Sequence, residues 1–165
     1  MPFDVGEFLG VVGKVNGLTS PAHFEVMFGS SNMRYLCTAA TLPGRSIETD
    51  TIHRAPEIPR VRPVLTSYPP VSLTFMLDGN GEVLSTLQSK LDAVIPSSSF
   101  EVNFPSSYQE QIDITQYNYD GSEVLKMTLY DAYVASLSDV ALDWSGGNQI
   151  QTVTATVSYF KWVST

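Results

Sequence analysis

The strictest constraint on the fold of this chain is an alternation of apolar and hydroxyl side chains near its C-terminus. Residues 152–159 read TVTATVSY, so every second side chain is apolar or aromatic and those between are threonine or serine. A period of two places the apolar set on one face of a β-strand and the hydroxyl set on the other. β-branched residues also suit a pleated, half-buried surface. The segment therefore predicts a strand with one face in a core.

The preceding residues predict its partner strand. Residues 139–144 alternate acidic or small side chains with apolar ones, and Ser145–Asn148 tolerate tight reversal, so we expect a hairpin. Asp139 and Asp143 would then form a solvated acidic face rather than a catalytic carboxylate pair. Five aromatic residues are expected mostly in the core: Phe75, Trp144, Tyr159, Phe160 and Trp162. Trp162 could equally anchor an interface.

Further alternating patterns predict strands at 22–28, 33–40, 47–52, 71–77, 112–119 and 124–130. The first two are expected to form a hairpin through Gly29–Asn32, and the last two through Asp120-Gly121. One amphipathic helix is predicted over 81–95, where Leu84, Leu87 and Leu91 recur at helical spacing. Residues 1–20 lack a sustained period and predict an irregular N-terminal arm.

An extended excursion is predicted between residues 43 and 70. Prolines at 43, 56, 59, 63, 69 and 70 remove backbone donors, so little strand is expected beyond 52. The excursion also holds five of the eleven lysine, arginine and histidine side chains. Such a segment on an acidic chain suggests contact with a neighbouring copy. The predicted inter-subunit contacts are Arg45, Arg54, Arg60, Arg62 and Trp162.

Composition restricts the function. The 165 residues fit one domain, and 9 basic against 17 acidic side chains give a formal charge of −8, which argues against an ordinary DNA-binding module. A charged content of 16% leaves a surface that copies of the chain could cover. One cysteine and no visible signal peptide or long apolar span predict a soluble protein of a reducing cytosol that does not bind membranes by itself.

No catalytic, cofactor or metal site is predicted. His23 and His53 have no partner at ligand spacing, and Cys37 lacks an oriented base. Asp78-Gly79-Asn80-Gly81 lacks the later ligands of a calcium loop and is better explained as a turn in which Asp78 or Asn80 caps the helix. The chain is therefore predicted not to be an enzyme.

Two segments carry a family resemblance. Cys37–Arg45, CTAATLPGR, and Tyr130–Trp162 resemble, in order and spacing, the tail tube proteins of contractile-tailed bacteriophages. The resemblance implies a mainly β protein, a small antiparallel β-barrel or sandwich with one helix and a long extended loop. It also implies hexameric rings that stack into the inner tail tube of a virion, which conducts DNA during genome ejection.

The resemblance further implies partners and a place of assembly. A tail sheath protein would lie outside the tube, tape measure protein and DNA would occupy the lumen transiently, and baseplate and terminator would bind the ends. The protein would be made and assembled in the host cytoplasm. Because repeated lysine or arginine on the wall would bind DNA, the lumen is predicted to be polar and acidic. Glu48, Asp50 and Asp113 are the candidates, and the alternative is that these acids face the sheath.

Other functions remain open from the sequence. A type VI secretion tube or a phage-tail-like particle would use a similar subunit, and an initiator or baseplate protein could share the fold. Outside this family, a carbohydrate-binding β-sandwich predicts a monomer with exposed coplanar aromatics. A hydrolase predicts a perturbed carboxylate or histidine in a pocket.

Overall fold

The computed structural model describes residues 22–28, 33, 36–52, 60–142 and 150–165. Its strands are β1 Phe24–Phe28, β2 Cys37–Ala40, β3 Ser46–Ile52, β4 Arg60–Ser67, β5 Val71–Met76, β6 Glu110–Tyr117, β7 Glu123–Leu137, β8 Thr152–Ser158 and β9 Lys161–Ser164. Its helices are α1 Glu82–Val94 and α2 Pro105–Tyr108. The predicted N-terminal arm lies outside the described residues.

Two antiparallel sheets share the long strand β7. Sheet A has the order β1-β6-β7-β9 and sheet B the order β7-β8-β5-β2. Residues 123–132 of β7 pair with β6, whereas Tyr133–Leu137 pair with β8. Between these halves Asp131 takes a positive φ of 53°, and the register with β6 shifts. This irregularity lets one strand bend from the first sheet into the second.

The described residues form a sandwich and no closed barrel. β1 and β2 are the two ends of the strand path and pair with β6 and β5, not with each other. The expectation of a small antiparallel β-protein is thus confirmed in its sandwich form. The expectation of a single helix is wrong, because the four-residue α2 follows α1.

The core lies between the inward faces of the two sheets. The alternation predicted for β8 is confirmed, since Val153, Ala155 and Val157 are fully buried. Phe28 of sheet A meets Phe75 of sheet B with ring centroids 5.8 Å apart. Contacts of this kind bury the apolar face that each sheet presents.

Helix α1 covers one part of this core. Val83 and Leu87 are buried, and Leu84 and Leu91 are partly buried against the same cluster. The predicted cap is confirmed for Asp78, whose two carboxylate oxygens accept the backbone N–H groups of residues 82 and 83 at 3.1 and 3.0 Å. Lys90 pairs with Glu110 at 2.5 Å and so joins the helix to β6.

Two predicted hairpins are wrong. Residues 22–28 pair with β6, and β2 pairs with β5, so the first two strands lie in different sheets. Residues 138–142 form no strand; instead the end of β7 pairs with β8. The reason lies in Ser138, whose Oγ accepts the N–H of Thr154 at 2.9 Å where a backbone oxygen would continue the ladder. Trp144 and the proposed turn at Ser145–Asn148 lie outside the described residues.

The excursion contains more regular structure than predicted. β4 pairs with β3 along its length despite Pro63, which faces Thr49 beside a register shift. In a two-stranded sheet each strand needs donors on one edge only, so a proline next to an irregularity is tolerated. The core expectation for Phe160 is also wrong, since its side chain is exposed. No helix in the described part of the chain is long and apolar enough to cross a membrane.

We predict that Leu87→Ala will lower the free energy of unfolding by about 2–5 kcal/mol, because Leu87 is fully buried and its truncation leaves a cavity. Chemical denaturation measures this loss. Gln88→Ala changes the adjacent exposed position and should leave stability near that of the unmodified chain. Equal stability of the two variants would contradict the packing of α1 against the core.

Candidate subunit interface

The hairpin formed by β3 and β4, hereafter the arm, has two chemically different faces. The register places an uncharged set on one face: Ile47, Thr49, Thr51, Val61, Pro63 and Thr66. The other face carries Ser46, Glu48, Asp50, Ile52, Arg60, Arg62, Leu65 and Ser67. One face therefore suits apolar packing, and the other suits contacts with charges of either sign.

The arm packs chiefly on itself. The large apolar side chains Ile47, Val61, Val64 and Leu65 are each more than half exposed. An isolated two-stranded hairpin is at best marginally stable in water, because it buries little apolar surface. A second surface covering the arm would supply the missing burial.

The base of the arm is fixed to the sandwich. Trp162 donates its Nε1–H to the Gly44 carbonyl at 3.0 Å, and the Tyr159 hydroxyl donates to the Pro69 carbonyl at 2.9 Å. The Tyr68 and Tyr159 rings also lie 6.2 Å apart, centroid to centroid. These contacts hold both chain segments that lead into the hairpin.

The structure locates four of the five predicted contact residues. Arg45, Arg60 and Arg62 are exposed, whereas Arg54 lies outside the described residues. The Arg62 guanidinium is 3.9 Å from the Asp50 carboxylate, and both groups are largely exposed, so this pair stabilises the fold little. Trp162 is partly buried and lines a cleft of about 540 Å³ with Arg45 and Tyr68. Their contact with another subunit stays a prediction.

The outward face of sheet B carries no charge at its paired positions. The side chains there are Ala39, Ser72, Thr74, Met76, Tyr133, Ser136, Thr152, Thr154, Thr156 and Ser158. Thr74 and Thr154 face each other across the strands with their hydroxyl oxygens 3.0 Å apart. In a chain of formal charge −8, this face is a distinct uncharged hydroxyl surface.

The outward face of sheet A carries charges instead. Lys126 Nζ lies 3.3 Å from a carboxylate oxygen of Asp113, and Gln111 donates to the other oxygen at 3.0 Å. Burial is the largest single influence on the Asp113 pKa and raises it. Hydrogen bonds from Gln111, Thr128 and Lys126, with the Lys126 charge, together lower this pKa below its ordinary value.

The three predicted lumen acids lie on two separate surfaces. Glu48 and Asp50 are exposed on the charged face of the arm, and Asp113 lies in sheet A. The fold does not bring them together within one subunit. Their position in a lumen is a property of the assembly and stays a prediction.

Within the described residues, no group of three or more histidine, cysteine, aspartate or glutamate side chains could hold a metal ion. Cys37 is partly buried, and burial raises the pKa of its thiol to about 11, against weaker opposing backbone hydrogen bonds. A thiol with this pKa stays protonated near neutral pH and is a poor nucleophile.

Comparison with protein families agrees with a role in assembly. A family model described as "Phage tail tube protein" matches residues 8–165. The chain belongs to the phage tail tube protein family. This match confirms the resemblance found in the sequence. The family is structural and not enzymatic. No curated protein sequence matches the chain.

Solved structures show the same fold. A chain of the PVC sheath–tube complex, from an extracellular contractile injection system in the extended state, is 14% identical with a TM-score of 0.71, covering 99% of this chain and 98% of that one. A chain of the anti-feeding prophage tube-terminating cap is 15% identical with a TM-score of 0.71, covering 90% and 91%. Hcp1 from Flavobacterium johnsoniae is 12% identical with a TM-score of 0.53, covering 86% and 94%.

Sequence reasoning missed the two-faced character of the arm. The signal was present, because Ile47, Thr49 and Thr51 alternate with Glu48 and Asp50. Without β4 as a recognised strand, however, the alternation could not be assigned to two faces of a hairpin. Recognising the tail tube family alone did not supply this detail.

We predict that acidification weakens the fold partly through Asp113. Its lowered folded-state pKa contributes stability above the unfolded value of about 3.9, and this contribution is lost as the pH falls through the lower folded value. Asp113→Asn should therefore lose less unfolding free energy than the unmodified chain between about pH 6 and about pH 2. Urea denaturation at a series of pH values measures the difference.

The matched variant is Lys126→Gln, which removes the cation and keeps the carboxylate. Its acid-induced loss should be smaller and complete at a higher pH, because the Asp113 pKa is then less depressed and lies closer to the unfolded value. Identical pH profiles for all three proteins would contradict a role of Asp113 in acid stability.

Proposed function

We propose that this tail tube family member forms hexameric rings that stack into the inner tube of a contractile phage tail, the conduit for genome ejection. The observation that carries the proposal is the family match over residues 8–165. The exposed two-faced arm supports it, because such an element gains burial in an assembly. Head-to-tail contacts between identical subunits generate closed rings or open stacks.

The proposed partners follow from position in such a tube. A sheath protein surrounds it, a baseplate and a terminator bind its ends, and tape measure protein and DNA occupy the lumen transiently. The proposed location is the virion, after synthesis and assembly in the host cytoplasm. Structures of similar fold come from a sheath–tube complex, a baseplate and a tube-terminating cap, which supports the sheath and the end partners.

We assign the bridge between rings to the arm. Its base is held by Trp162 and Tyr159, so the hairpin is oriented before it meets a neighbour. Its uncharged face would bury apolar surface against the next ring, and its charged face would set the register. Arg45, Arg54, Arg60, Arg62 and Trp162 remain the proposed contacts.

We assign the lumen to the outward face of sheet B. Uncharged hydroxyl groups hydrate well and bind no phosphate through counterion release, so DNA next to them stays free to slide. The serine and threonine side chains of this face would make the lumen wall polar without adding charge. Glu48, Asp50 and Asp113 lie elsewhere on the subunit and are the competing assignment.

A second candidate is the tube of a contractile injection system that carries a different cargo. This candidate is supported by a similarity of fold to a chain of such a tube complex, and the similarity extends over 99% of this chain. Both functions use the same rings. Nuclease-protected DNA in particles purified from producing cells would favour the phage tail, and intact particles free of DNA would favour the injection system.

We predict that the purified chain forms rings or smooth tubes at high concentration in negative-stain electron microscopy. Replacing residues 47–66 by a short Gly–Ser turn should leave the sandwich folded, because the arm packs chiefly on itself, but should abolish long tubes. Circular dichroism checks that the sandwich is retained.

The matched control is Gln88→Ala, which leaves the arm intact and should form tubes like the unmodified chain. Tubes of ordinary length from the arm-less variant would contradict the bridging role. A monomer of the unmodified chain at every concentration would contradict the proposed function itself.

We predict that Ser72→Lys, on the hydroxyl face, turns the lumen into a DNA-binding surface. Assembled tubes should then retain a short labelled duplex at low salt, protected from nuclease, and release it as salt rises, because bound lysines displace phosphate counterions. Unmodified tubes should retain none.

Glu48→Lys, on the arm, is the comparison variant. DNA that it binds should stay open to nuclease, because the site would face outwards. Protected DNA with Glu48→Lys but not with Ser72→Lys would overturn the assignment and favour the arm acids as the lumen lining.

A further inference from the structure

The segment 95–104 between α1 and α2, hereafter the aromatic loop, presents large apolar side chains to solvent. Phe100, Val102 and Phe104 are 80%, 68% and 85% exposed, and Ile95 is also exposed. Single exposed apolar residues are common, but a cluster of this kind marks an interaction surface. None of the contacts described above uses it.

Hydrogen bonds from backbone and side-chain groups hold the loop in place. Phe100 donates its N–H to the Pro96 carbonyl at 3.0 Å. Asn103 donates its backbone N–H to Val94 at 3.0 Å and its side-chain amide to Ala93 at 2.8 Å. The aromatic rings are thus exposed from an ordered support, and a preordered loop loses little entropy on binding.

Phe100 also has a strained backbone. Its φ of 56° lies in the left-handed region, which residues with a Cβ atom rarely adopt. Glycine would take this conformation without that strain. Because the Phe100 side chain is exposed in the monomer, no burial offsets this strain, and the strained conformation points to a role in binding.

A cleft of matching size lies at the gap between β1 and β2. Its volume is about 140 Å³, and its lining residues are Phe24, Ala40, Leu42, Ile114 and Gln116. None of these is charged. An apolar cavity of about 150 Å³ accommodates a benzene ring, so this cleft has room for one phenyl side chain.

Loop and cleft lie towards opposite ends of β1. The loop follows α1, whose Lys90 Nζ lies 5.4 Å from the Phe28 ring at the C-terminal end of β1. The cleft lies at Phe24, four residues earlier, which is about 13 Å along an extended strand. Neither Phe100 nor Phe104 lines the cleft of its own molecule.

We propose that Phe100 of one copy inserts its ring into the β1–β2 cleft of the next copy. This inference rests on the proposed self-assembly and identifies one of its lateral contacts. Because the protruding ring and the cleft lie at different places on one chain, their contact between copies is head-to-tail, and contacts of this kind can repeat around a ring. The partner is a second copy because the chain itself carries an uncharged cleft of phenyl size.

Cysteine cross-linking tests the contact. In a Cys37→Ser background, Phe100→Cys and Leu42→Cys are combined, the protein is assembled, and a mild oxidant is added. Each disulfide forms from two thiols with loss of two protons and two electrons to the oxidant, and links neighbouring copies. We expect a ladder of covalent multimers on a denaturing gel. The control replaces Phe100→Cys by Phe160→Cys, an exposed position elsewhere, and should give no ladder.

A second variant separates binding from folding. Phe100→Gly removes the ring and relieves the positive φ, so its melting temperature should equal or exceed that of the unmodified chain. The concentration needed for assembly should nevertheless rise roughly tenfold to a hundredfold, from loss of one buried phenyl contact. A rise of this size without loss of stability supports the proposal even if the cysteine variants do not assemble.

The outcomes distinguish this inference from the proposed function. Rings or tubes that form without the Phe100–Leu42 cross-link, or Phe100→Gly tubes at the unmodified concentration, overturn the inference and leave the tube function standing. In that case a different protein covers the aromatic loop. An unmodified chain that never assembles overturns both.

Discussion

The bend in β7 is the feature on which the rest of the structure depends. One strand pairs with β6 and β9 in its first half and with β8 in its second, and the change occurs where Asp131 leaves the extended conformation. Because the two sheets share this strand, their inward faces are held over one another at a fixed angle. The core, the position of α1 and the open gap between β1 and β2 all follow from that arrangement.

The sequence was informative where structure is local. Alternation identified β5, β6 and β8, and the leucine spacing identified α1 with its Asp78 cap, because these patterns record which face of one element is buried. Strand partners were not predictable in the same way. β1 pairs with β6, whose paired residues lie 84 to 92 positions further along the chain, and not with the next strand, and no local pattern encodes that pairing. The end of β7 depends on one hydroxyl, that of Ser138, taking the place of a backbone acceptor.

The candidate interface illustrates the same limit. The prolines of residues 43–70 predicted an extended segment with little strand beyond residue 52. They hid the strand β4, because Pro63 is tolerated beside the register shift. The charged residues of the arm could be named from the sequence, whereas the uncharged face opposite them needed the pairing. The surface proposed for assembly thus lies on an element that the core of the sandwich leaves largely uncovered.

The hydroxyl face of sheet B has a consequence for the conditions in which the protein works. Threonine and serine hydroxyls do not titrate in the physiological range, and they attract no atmosphere of counterions. The water layer on this face should therefore keep the same character in acidic and neutral media and at low and high ionic strength. A surface that is polar because of hydroxyl groups therefore keeps the same charge and hydration inside a cell and outside it. A surface that is polar because of carboxylates or amines does not, because its charge and its counterions change with pH and ionic strength.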